Sequence, residues 1–214
     1  SAIKTYDQLI AEFKKGSYAS KPMLRQGLIY YNAEKDDLAI AKFKKVAAEF
    51  PNSPESLEAV ATARLIYVDN GKVSEYGDWV KTLGFIQVSD SELDNDTYEG
   101  AEKQYLQNNV KQAISSLSNY LAKFPNGNHA LKANFYLAQS YYADDLANNS
   151  IPNYEYVISK SRNEFTEQAL ARLCEIYLKK EDATKAIVVL KRLETEADFP
   201  QNVTFAQSNL MKTY

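Results

Sequence analysis

The stretch AIAKFKKVAAEFP at residues 39–51 returns as AISSLSNYLAKFP at residues 113–125. Related copies read AIKTYDQLIAEF (2–13), SIPNYEYVISKS (150–161) and AIVVLKRLETEA (186–197). An isoleucine near the start of each copy marks the spacing: Ile3, Ile40, Ile114, Ile151 and Ile187. The gaps are 37, 74, 37 and 36 residues, so a further copy is expected near Gly77, in EYGDWVKTLGF. A fixed period of this length predicts stacked structural repeats.

Each copy has the pattern of an amphipathic helix. Apolar residues follow the anchor at offsets of three and six, as in Phe43 and Val46 or Leu117 and Tyr120, which places them on one helical stripe. Two copies end in Phe-Pro, at residues 50–51 and 124–125. Proline cannot continue a helix, so these positions predict helix ends.

A second helix is expected before each anchor. Thirteen residues upstream the residue is small in four of five copies, and ten residues upstream it is Tyr in four of five. The first set is Gly27, Arg64, Ala101, Ala138 and Cys174, and the second is Tyr30, Tyr67, Gln104, Tyr141 and Tyr177. A small residue at a fixed helical position allows another helix to approach closely. The repeating unit is therefore predicted to be a hairpin of helix A followed by helix B.

The pattern of Gly27, Tyr30, Ala39, Phe43, Val46 and Pro51 resembles the tetratricopeptide repeat (TPR). The resemblance implies an all-α, right-handed superhelix of about five hairpins with a half repeat at each end. A single solenoid over residues 1–214 is expected, with half repeats 1–16 and 204–214 and repeats 20–52, 57–90, 94–127, 131–162 and 167–200. The repeat at 57–90 departs most from the pattern, because Arg64 and Tyr76 occupy small-residue positions.

The period near 37 residues and the Phe-Pro-Asn helix ends resemble TPR proteins of the bacterial cell envelope, namely outer-membrane assembly lipoproteins and the Tol–Pal coordinator. That resemblance implies a periplasmic or envelope location, with the cytoplasm as the alternative. The charged N-terminal stretch does not read as a secretory signal. Neither end has the polar cap that a solenoid needs, so the sequence is expected to be a segment of a longer repeat protein that can self-associate through its uncapped ends.

The charge balance and the hydrophobic pattern of the chain argue against two functional classes, nucleic-acid-binding proteins and membrane-inserted proteins. The 214 residues include 25 Lys and Arg against 28 Asp and Glu, giving a net charge of −3. This balance argues against nucleic-acid binding, which needs a basic face. No run of 18 apolar residues is present, so direct membrane insertion is not expected.

Candidates for catalysis are few. His129 is the only histidine and lies in a predicted connection, and Cys174 is the only cysteine and occupies the small packing position of helix A. The acidic stretch SDSELDNDTYE (89–99) favours a capped helix start, with cation binding as the alternative. Three glycosylation triplets, at Asn95, Asn148 and Asn202, matter only in a glycosylating host. We therefore predict no enzymatic activity, no cofactor and no metal site.

The TPR resemblance implies that helix A lines a concave groove at positions 2, 5, 9, 12 and 13, counting the small residue as position 8. The expected partner-binding residues are Leu28, Tyr31, Tyr98, Glu102, Tyr105, Phe135, Gln139 and Tyr142. Glu102 and Glu175 slightly favour a ligand with basic residues, and the absence of Lys, Arg and Asn at position 5 argues against a clamp for terminal carboxylates. The chain is predicted to be a scaffold that binds a protein or peptide segment. The alternatives are packing of the same rings, glycan binding, and a recruitment arm of a larger enzyme.

Overall fold

The computed structural model describes residues 2–12 and 19–213, and within these ranges the regular structure is helical, with no strand. Twelve helices are described there, in the following order: α1 (Ala2–Glu12), α2 (Ser20–Asn32), α3 (Asp36–Glu49), α4 (Pro54–Asp69), α5 (Val73–Lys81), α6 (Asp90–Leu106), α7 (Val110–Lys123), α8 (Ala130–Ala143), α9 (Ala147–Ser159), α10 (Thr166–Lys179), α11 (Ala183–Glu196) and α12 (Pro200–Thr213). The predicted all-α class is confirmed. None of these helices is long and apolar enough to cross a membrane.

The repeated sequence copies lie on helices of the structure. The anchor isoleucines belong to α1, α3, α7, α9 and α11, and the expected extra copy around Gly77 is α5. Helices α3 and α7 end at Glu49 and Lys123, one residue before the Phe-Pro pairs, as the sequence predicts. The periodicity therefore located the B helices correctly.

Some A helices begin earlier than predicted because capping residues precede them. Helix α4 begins at Pro54, where the Ser53 hydroxyl accepts a hydrogen bond from the Ser56 amide at 3.1 Å. Before α6, the Ser89 amide donates to the Glu92 carboxylate at 2.7 Å, and the Glu92 amide donates back to the Ser89 hydroxyl at 3.2 Å. This reciprocal pair is a capping box. The predicted helix-capping role of the acidic stretch is confirmed at its first turn.

One turn geometry joins helix A to helix B in each of the five hairpins within the described ranges. Three residues separate the two helices, and the middle one has a positive φ: Glu34, Gly71, Asn108, Asp145 or Glu181. In each turn the third amide donates to a carbonyl five residues earlier, as from Lys35 to Tyr30 at 2.9 Å and from Asp182 to Tyr177 at 3.0 Å. This is the Schellman end of a helix, which satisfies carbonyls that would otherwise lack partners.

The small residue of helix A permits close approach of helix B. A Cβ atom built on Gly27 would lie 2.5 Å from Cε1 of Phe43, a fully buried ring of α3. The corresponding residues Ala101, Ala138 and Cys174 are also buried. The predicted packing role of this position is therefore confirmed by burial.

The chain divides into two compact units, residues 1–100 and 101–214. In unit one, α2 contacts α1, α3 and α4, and α4 contacts α5. The buried Gln26 side chain joins three of these helices, because its amide nitrogen donates to Asp7 at 2.7 Å and its oxygen accepts from Lys42 at 2.7 Å. A polar side chain is tolerated in this interior since both ends of its amide are paired.

Arg64 occupies the position of helix A that is small in the other hairpins, and it forms an ion pair within unit one. Its guanidinium group binds both carboxylate oxygens of Asp96 on α6, with the Nε–Oδ2 contact at 2.7 Å. The Asp96 side chain is 1% exposed, whereas that of Arg64 is 42% exposed. Hydrogen bonds from Arg64 to Asp96 raise the pKa of Arg64, which stays protonated at every accessible pH. The sequence analysis placed Asp96 only within the acidic helix start and did not predict this ion pair.

Unit two repeats a simple stacking scheme. Helix α8 contacts α7 and α9, α10 contacts α9 and α11, and α11 contacts α12. A buried apolar cluster runs through α8 to α12, including Tyr154, Leu173, Leu190 and Leu210. Each helix thus buries apolar residues against its neighbours in sequence, which is the packing of a repeat array.

Candidate functional site

The structure buries two residues of the predicted groove lining. Tyr98 is 4% exposed and Phe135 is 5% exposed, and the Phe135 ring stacks on Phe165 with 4.4 Å between centroids. Rings this enclosed contact protein rather than a ligand. We therefore treat Tyr98 and Phe135 as packing residues and leave them out of the candidate site.

The other predicted lining residues are partly exposed. Leu28 and Tyr31 lie half-buried on α2 of unit one, whereas Glu102, Tyr105, Gln139 and Tyr142 lie half-buried in unit two. Gln139 and Tyr105 line a cavity of about 350 Å³. The four residues of unit two belong to α6 and α8, so their surroundings can be described together.

The Tyr105 ring packs partly against a neighbouring helix of unit two. It stacks on Tyr136 of α8, with 4.0 Å between centroids and 13° between the ring planes. Lys132 places its ammonium group 5.3 Å from the Tyr136 centroid and forms an ion pair with Glu102 at 2.7 Å. Burial raises the pKa of Tyr105. In this part of the predicted groove the aromatic and charged side chains are therefore engaged with one another.

Tyr142 belongs to a more open cluster with two side chains of α10. Its hydroxyl donates to Oε2 of Glu175 at 2.9 Å, and Arg172 donates to the same oxygen at 2.8 Å. The Arg172 guanidinium lies over the Tyr142 ring, 4.5 Å from its centroid, in a cation–π contact. Partial burial, followed by the hydrogen bond to Glu175, raises the pKa of Tyr142. The Tyr142 hydroxyl therefore keeps its proton at ordinary pH and remains a hydrogen-bond donor.

A buried hydroxyl lies near this cluster. Tyr154 of α9 is fully buried, and its oxygen makes no hydrogen bond to the described residues. Burial strongly raises the pKa of Tyr154, and the charge of Arg172 acts in the opposite direction. An unpaired buried hydroxyl is unusual in a protein interior.

Two cavities lie along α10 and share Glu175. The first, of about 650 Å³, is lined by α10 residues with the turn before it and the start of α12: Arg162, Asn163, Glu164, Glu167, Gln168, Ala171, Arg172, Glu175, Asp198, Phe199 and Asn202. The second, of about 630 Å³, is lined by the α8–α9 turn and the later part of α10: Tyr142, Asp145, Leu146, Ala147, Asn148, Asn149, Glu175, Ile176, Lys179 and Lys180. We call them cavity one and cavity two. Both lie within unit two.

Glu167 fixes the wall of cavity one. Its carboxylate accepts hydrogen bonds from the amides of Asp198 and Phe199, at 2.9 and 3.1 Å, and from the Asn202 side chain at 2.7 Å. Partial burial opposes its ionisation, but these three donors outweigh that effect and lower the pKa of Glu167. Arg162 pairs with Asp198 at 2.7 Å on the same wall. The start of α12 is thereby held against α10.

Several residues of this site were missed from the sequence. Arg172 lies at position 6, beside the predicted groove positions, and Phe199 and Lys180 also lie outside them. Lys179 occupies the predicted position 13, although it is not among the expected partner-binding residues named from the sequence. The spacing of Arg172 and Glu175, three residues apart on one helix, is a signal for an ion pair that was available in the sequence. The contribution of Phe199 was not available, since it depends on how α12 packs on α11 and where its preceding turn falls.

The residues first considered for chemistry lie outside the two cavities. Cys174 is fully buried, and burial raises the pKa of its thiol to about 12. His129 is the residue before α8, and its amide donates to the Tyr120 hydroxyl at 3.2 Å. Over the described ranges, no group of three or more His, Cys, Asp or Glu side chains is placed to hold a metal ion.

Comparison with known proteins connects this geometry to a repeat family. Residues 23–53 match the family model described as "Tetratricopeptide repeat". The matched segment contains most of α2, all of α3 and the turn between them, which is the hairpin with the close Gly27–Phe43 contact. A search of curated protein sequences gave no match.

Solved structures of TPR proteins align with most of the chain at low similarity. A TPR protein from Parabacteroides merdae is 13% identical over 99% of this chain and 76% of its own length, with a TM-score of 0.39. YrrB, described as a TPR protein with an unusual peptide-binding site, is 14% identical over 96% of this chain and 99% of its own length, with a TM-score of 0.43. A thermophilic TPR protein from Thermus thermophilus is 18% identical over 90% of this chain and 100% of its own length, with a TM-score of 0.38.

Proposed function

We propose that this protein is a non-catalytic scaffold that binds an extended peptide segment of a partner protein along α10 of unit two. The observation that carries the proposal is the pair of cavities on one helix face, about 650 and 630 Å³, joined at Glu175. Together they offer room for several side chains in a row, which suits a linear segment better than a single compact ligand.

The chemistry of the lining suits a peptide. Side-chain amides from Gln168, Asn148 and Asn149 can pair with the amides and carbonyls of a peptide backbone. The rings of Tyr142 and Phe199 supply apolar contact area beside these polar groups. Because the lining residues are held on packed helices and short turns, little ordering of the receptor is needed when a ligand binds.

A peptide selection tests the proposal. A library of random octapeptides is displayed on phage and selected on the immobilised protein, and the enriched sequences are synthesised with a fluorescent label. Tyr142→Ala should weaken their binding by about tenfold or more in fluorescence polarisation, because it removes an aromatic contact and a hydrogen bond from the junction of the cavities.

Tyr156→Ala is the matched control, since Tyr156 is also half-buried but lies on α9 and lines neither cavity. The affinity of the Tyr156→Ala variant for the selected peptides should stay within about twofold of the affinity of the unsubstituted protein. Failure to enrich any peptide, or equal losses in the two variants, would contradict peptide binding at this site.

We also propose that the scaffold works in the bacterial cell envelope, as an assembly component. Support comes from the 37-residue period and the Phe-Pro-Asn helix ends in the sequence. Fractionation of the source cells tests this, because recovery of the protein only from the cytosol would contradict it.

A further inference from the structure

On the face of α10 that lines the two cavities, negative and positive side chains lie toward opposite ends of the helix. Residues 168, 171, 172, 175, 176, 179 and 180 recur at spacings of three and four, so they form one stripe, and all of them line cavity one or cavity two. From residue 168 to residue 180 the stripe is about 18 Å long at 1.5 Å per residue. An extended peptide of about five or six residues covers that length.

Cavity one carries a surplus of negative charge. Its two arginines are paired within the wall, Arg162 with Asp198 at 2.7 Å and Arg172 with Glu175 at 2.8 Å. Glu164 and Glu167 are the remaining charged residues of the lining. Glu167 stays ionised because its hydrogen-bond donors lower its pKa, and Glu164 is exposed at the edge of the cavity.

Cavity two carries a surplus of positive charge. Lys179 and Lys180 are exposed at the last turn of α10 and just beyond it. Asp145 opposes them, and Glu175 is already paired with Arg172. With the Arg172–Glu175 pair counted as neutral, two lysines face one aspartate in cavity two, a surplus of one positive charge, whereas cavity one has a surplus of two negative charges.

The two ends act on a ligand separately. The Debye length at physiological salt is about 8 Å, so charges about 18 Å apart are largely screened from each other. A charged side chain of the ligand near one end of the stripe is therefore attracted by the charges of the cavity at that end, and the charges of the other cavity affect it little. Opposite charges placed at the two ends of a peptide therefore fix its direction and register on α10.

We infer that the peptide ligand is charge-segregated, with Lys or Arg at the end over cavity one and Asp or Glu at the end over cavity two. This rests on the proposed function and specifies its ligand class. The exposed ring of Phe199, 57% accessible, lies in the wall of cavity one and offers apolar surface to the stem of a basic side chain. The Tyr142–Arg172–Glu175 cluster marks the boundary between the two halves of the ligand.

The same octapeptide selection, run at about 150 mM salt on charge variants of the full chain, tests the inference. On the unsubstituted protein, enriched peptides should carry basic residues in one half and acidic residues in the other. Lys179→Glu together with Lys180→Glu should remove the preference for acidic residues while keeping that for basic ones. Glu164→Lys should do the reverse. Labelled charge-segregated peptides should bind each variant about threefold to fivefold more weakly, as expected for exposed ion pairs.

Lys111→Glu is the control, because Lys111 is an exposed lysine of α7 that lines neither cavity. It should leave the selected sequences unchanged. If peptides are enriched but show no charge segregation, or if the variants select the same sequences as the unsubstituted protein, the inference is overturned and peptide binding stands. If no peptide is enriched at all, the proposed function itself fails.

Discussion

At the scale of single residues, the small position of helix A shows how one site can be occupied in different ways. Gly27 and Ala138 occupy it with almost no side chain, and Cys174 fills it with a buried thiol. Arg64 instead extends its guanidinium to the buried carboxylate of Asp96. Removing either partner of that pair would leave a charge without its counterpart, which is more destabilising than replacing both. The backbone position is thus kept while the chemistry of the side chain changes.

Burial of Cys174 predicts a pH dependence of stability. Its thiol has a pKa of about 12 in the folded protein against an ordinary value of 9.0. As pH rises, the unfolded chain therefore releases this proton first, so its contribution to the free energy of unfolding is intact below about pH 9 and falls between pH 9 and 12. The expected slope in that window is about 1.4 kcal/mol per pH unit. Urea denaturation at about pH 8, 9 and 10 measures it.

Cys174→Ala isolates this effect, because it removes the thiol and keeps a small side chain at the packing position. The variant should lose stability less steeply than the unsubstituted protein between about pH 9 and pH 10. Parallel curves for the two proteins would show that the thiol is not protected by burial.

At the scale of elements, the turn between helix A and helix B is the most regular feature of the chain. In the part of the chain that the structure describes, five such turns each use one residue with positive φ, and only Gly71 among these five residues is a glycine. Glu34 and Glu181 adopt the same conformation although a side chain disfavours it. The hydrogen bond that closes each turn, such as Lys72 to Tyr67 at 2.7 Å, holds these residues in place. Hydrophobic periodicity alone does not reveal such turns, since they contain no consistent glycine.

The Gly71 turn gives a direct test of that backbone effect. Gly71 has a φ of +67°, and nothing lies within 4 Å of a Cβ atom built on it. Gly71→Ala should therefore lower the free energy of unfolding by about 1 kcal/mol through backbone strain alone. Glu181→Gly, at the matching position of the last hairpin, should raise it by roughly 0.5 kcal/mol or more.

Chemical denaturation of both variants beside the unsubstituted protein measures the two effects. A neutral result for Gly71→Ala would mean that the turn adopts another conformation in solution. The pair is informative because the two substitutions are expected to move stability in opposite directions.

At the scale of the whole molecule, stability is distributed over neighbouring helices. Unit one and unit two each bury their own apolar residues, such as Ile66 and Tyr67 in the first and Leu173 and Leu190 in the second. In repeat architectures each hairpin is stabilised mainly by the hairpins next to it. Local changes in stability are therefore expected to stay local.

Leu173→Ala tests this distribution of stability. Leu173 is fully buried in unit two, so the substitution should destabilise its surroundings by about 2–5 kcal/mol. Trp79 is the only tryptophan of the chain and lies in unit one beside Tyr67 and Tyr76. In the Leu173→Ala variant, the urea midpoint of unfolding measured by Trp79 fluorescence should shift less than the midpoint measured by circular dichroism. Circular dichroism reports the unfolding of all the helices.

Ile66→Ala is the reciprocal control, since Ile66 is buried in unit one and its loss should shift the Trp79 transition directly. Equal shifts of both signals in the Leu173→Ala variant would show that the chain unfolds as one cooperative unit.

The sequence by itself determined the helical class, the repeat length and the close-packing position, because these depend on the spacing of apolar and small residues along one chain. It also predicted a lining of helix A residues, of which Leu28, Tyr31, Glu102, Tyr105, Gln139 and Tyr142 are partly exposed in the structure. Only the tertiary structure decided that Tyr98 and Phe135 are packed inside and that Asp96 receives Arg64. It also brought Phe199 and Arg172 to one cavity. Exposure and pairing depend on which neighbouring helix covers a residue, and contacts between residues some thirty positions apart leave no periodic trace in the sequence.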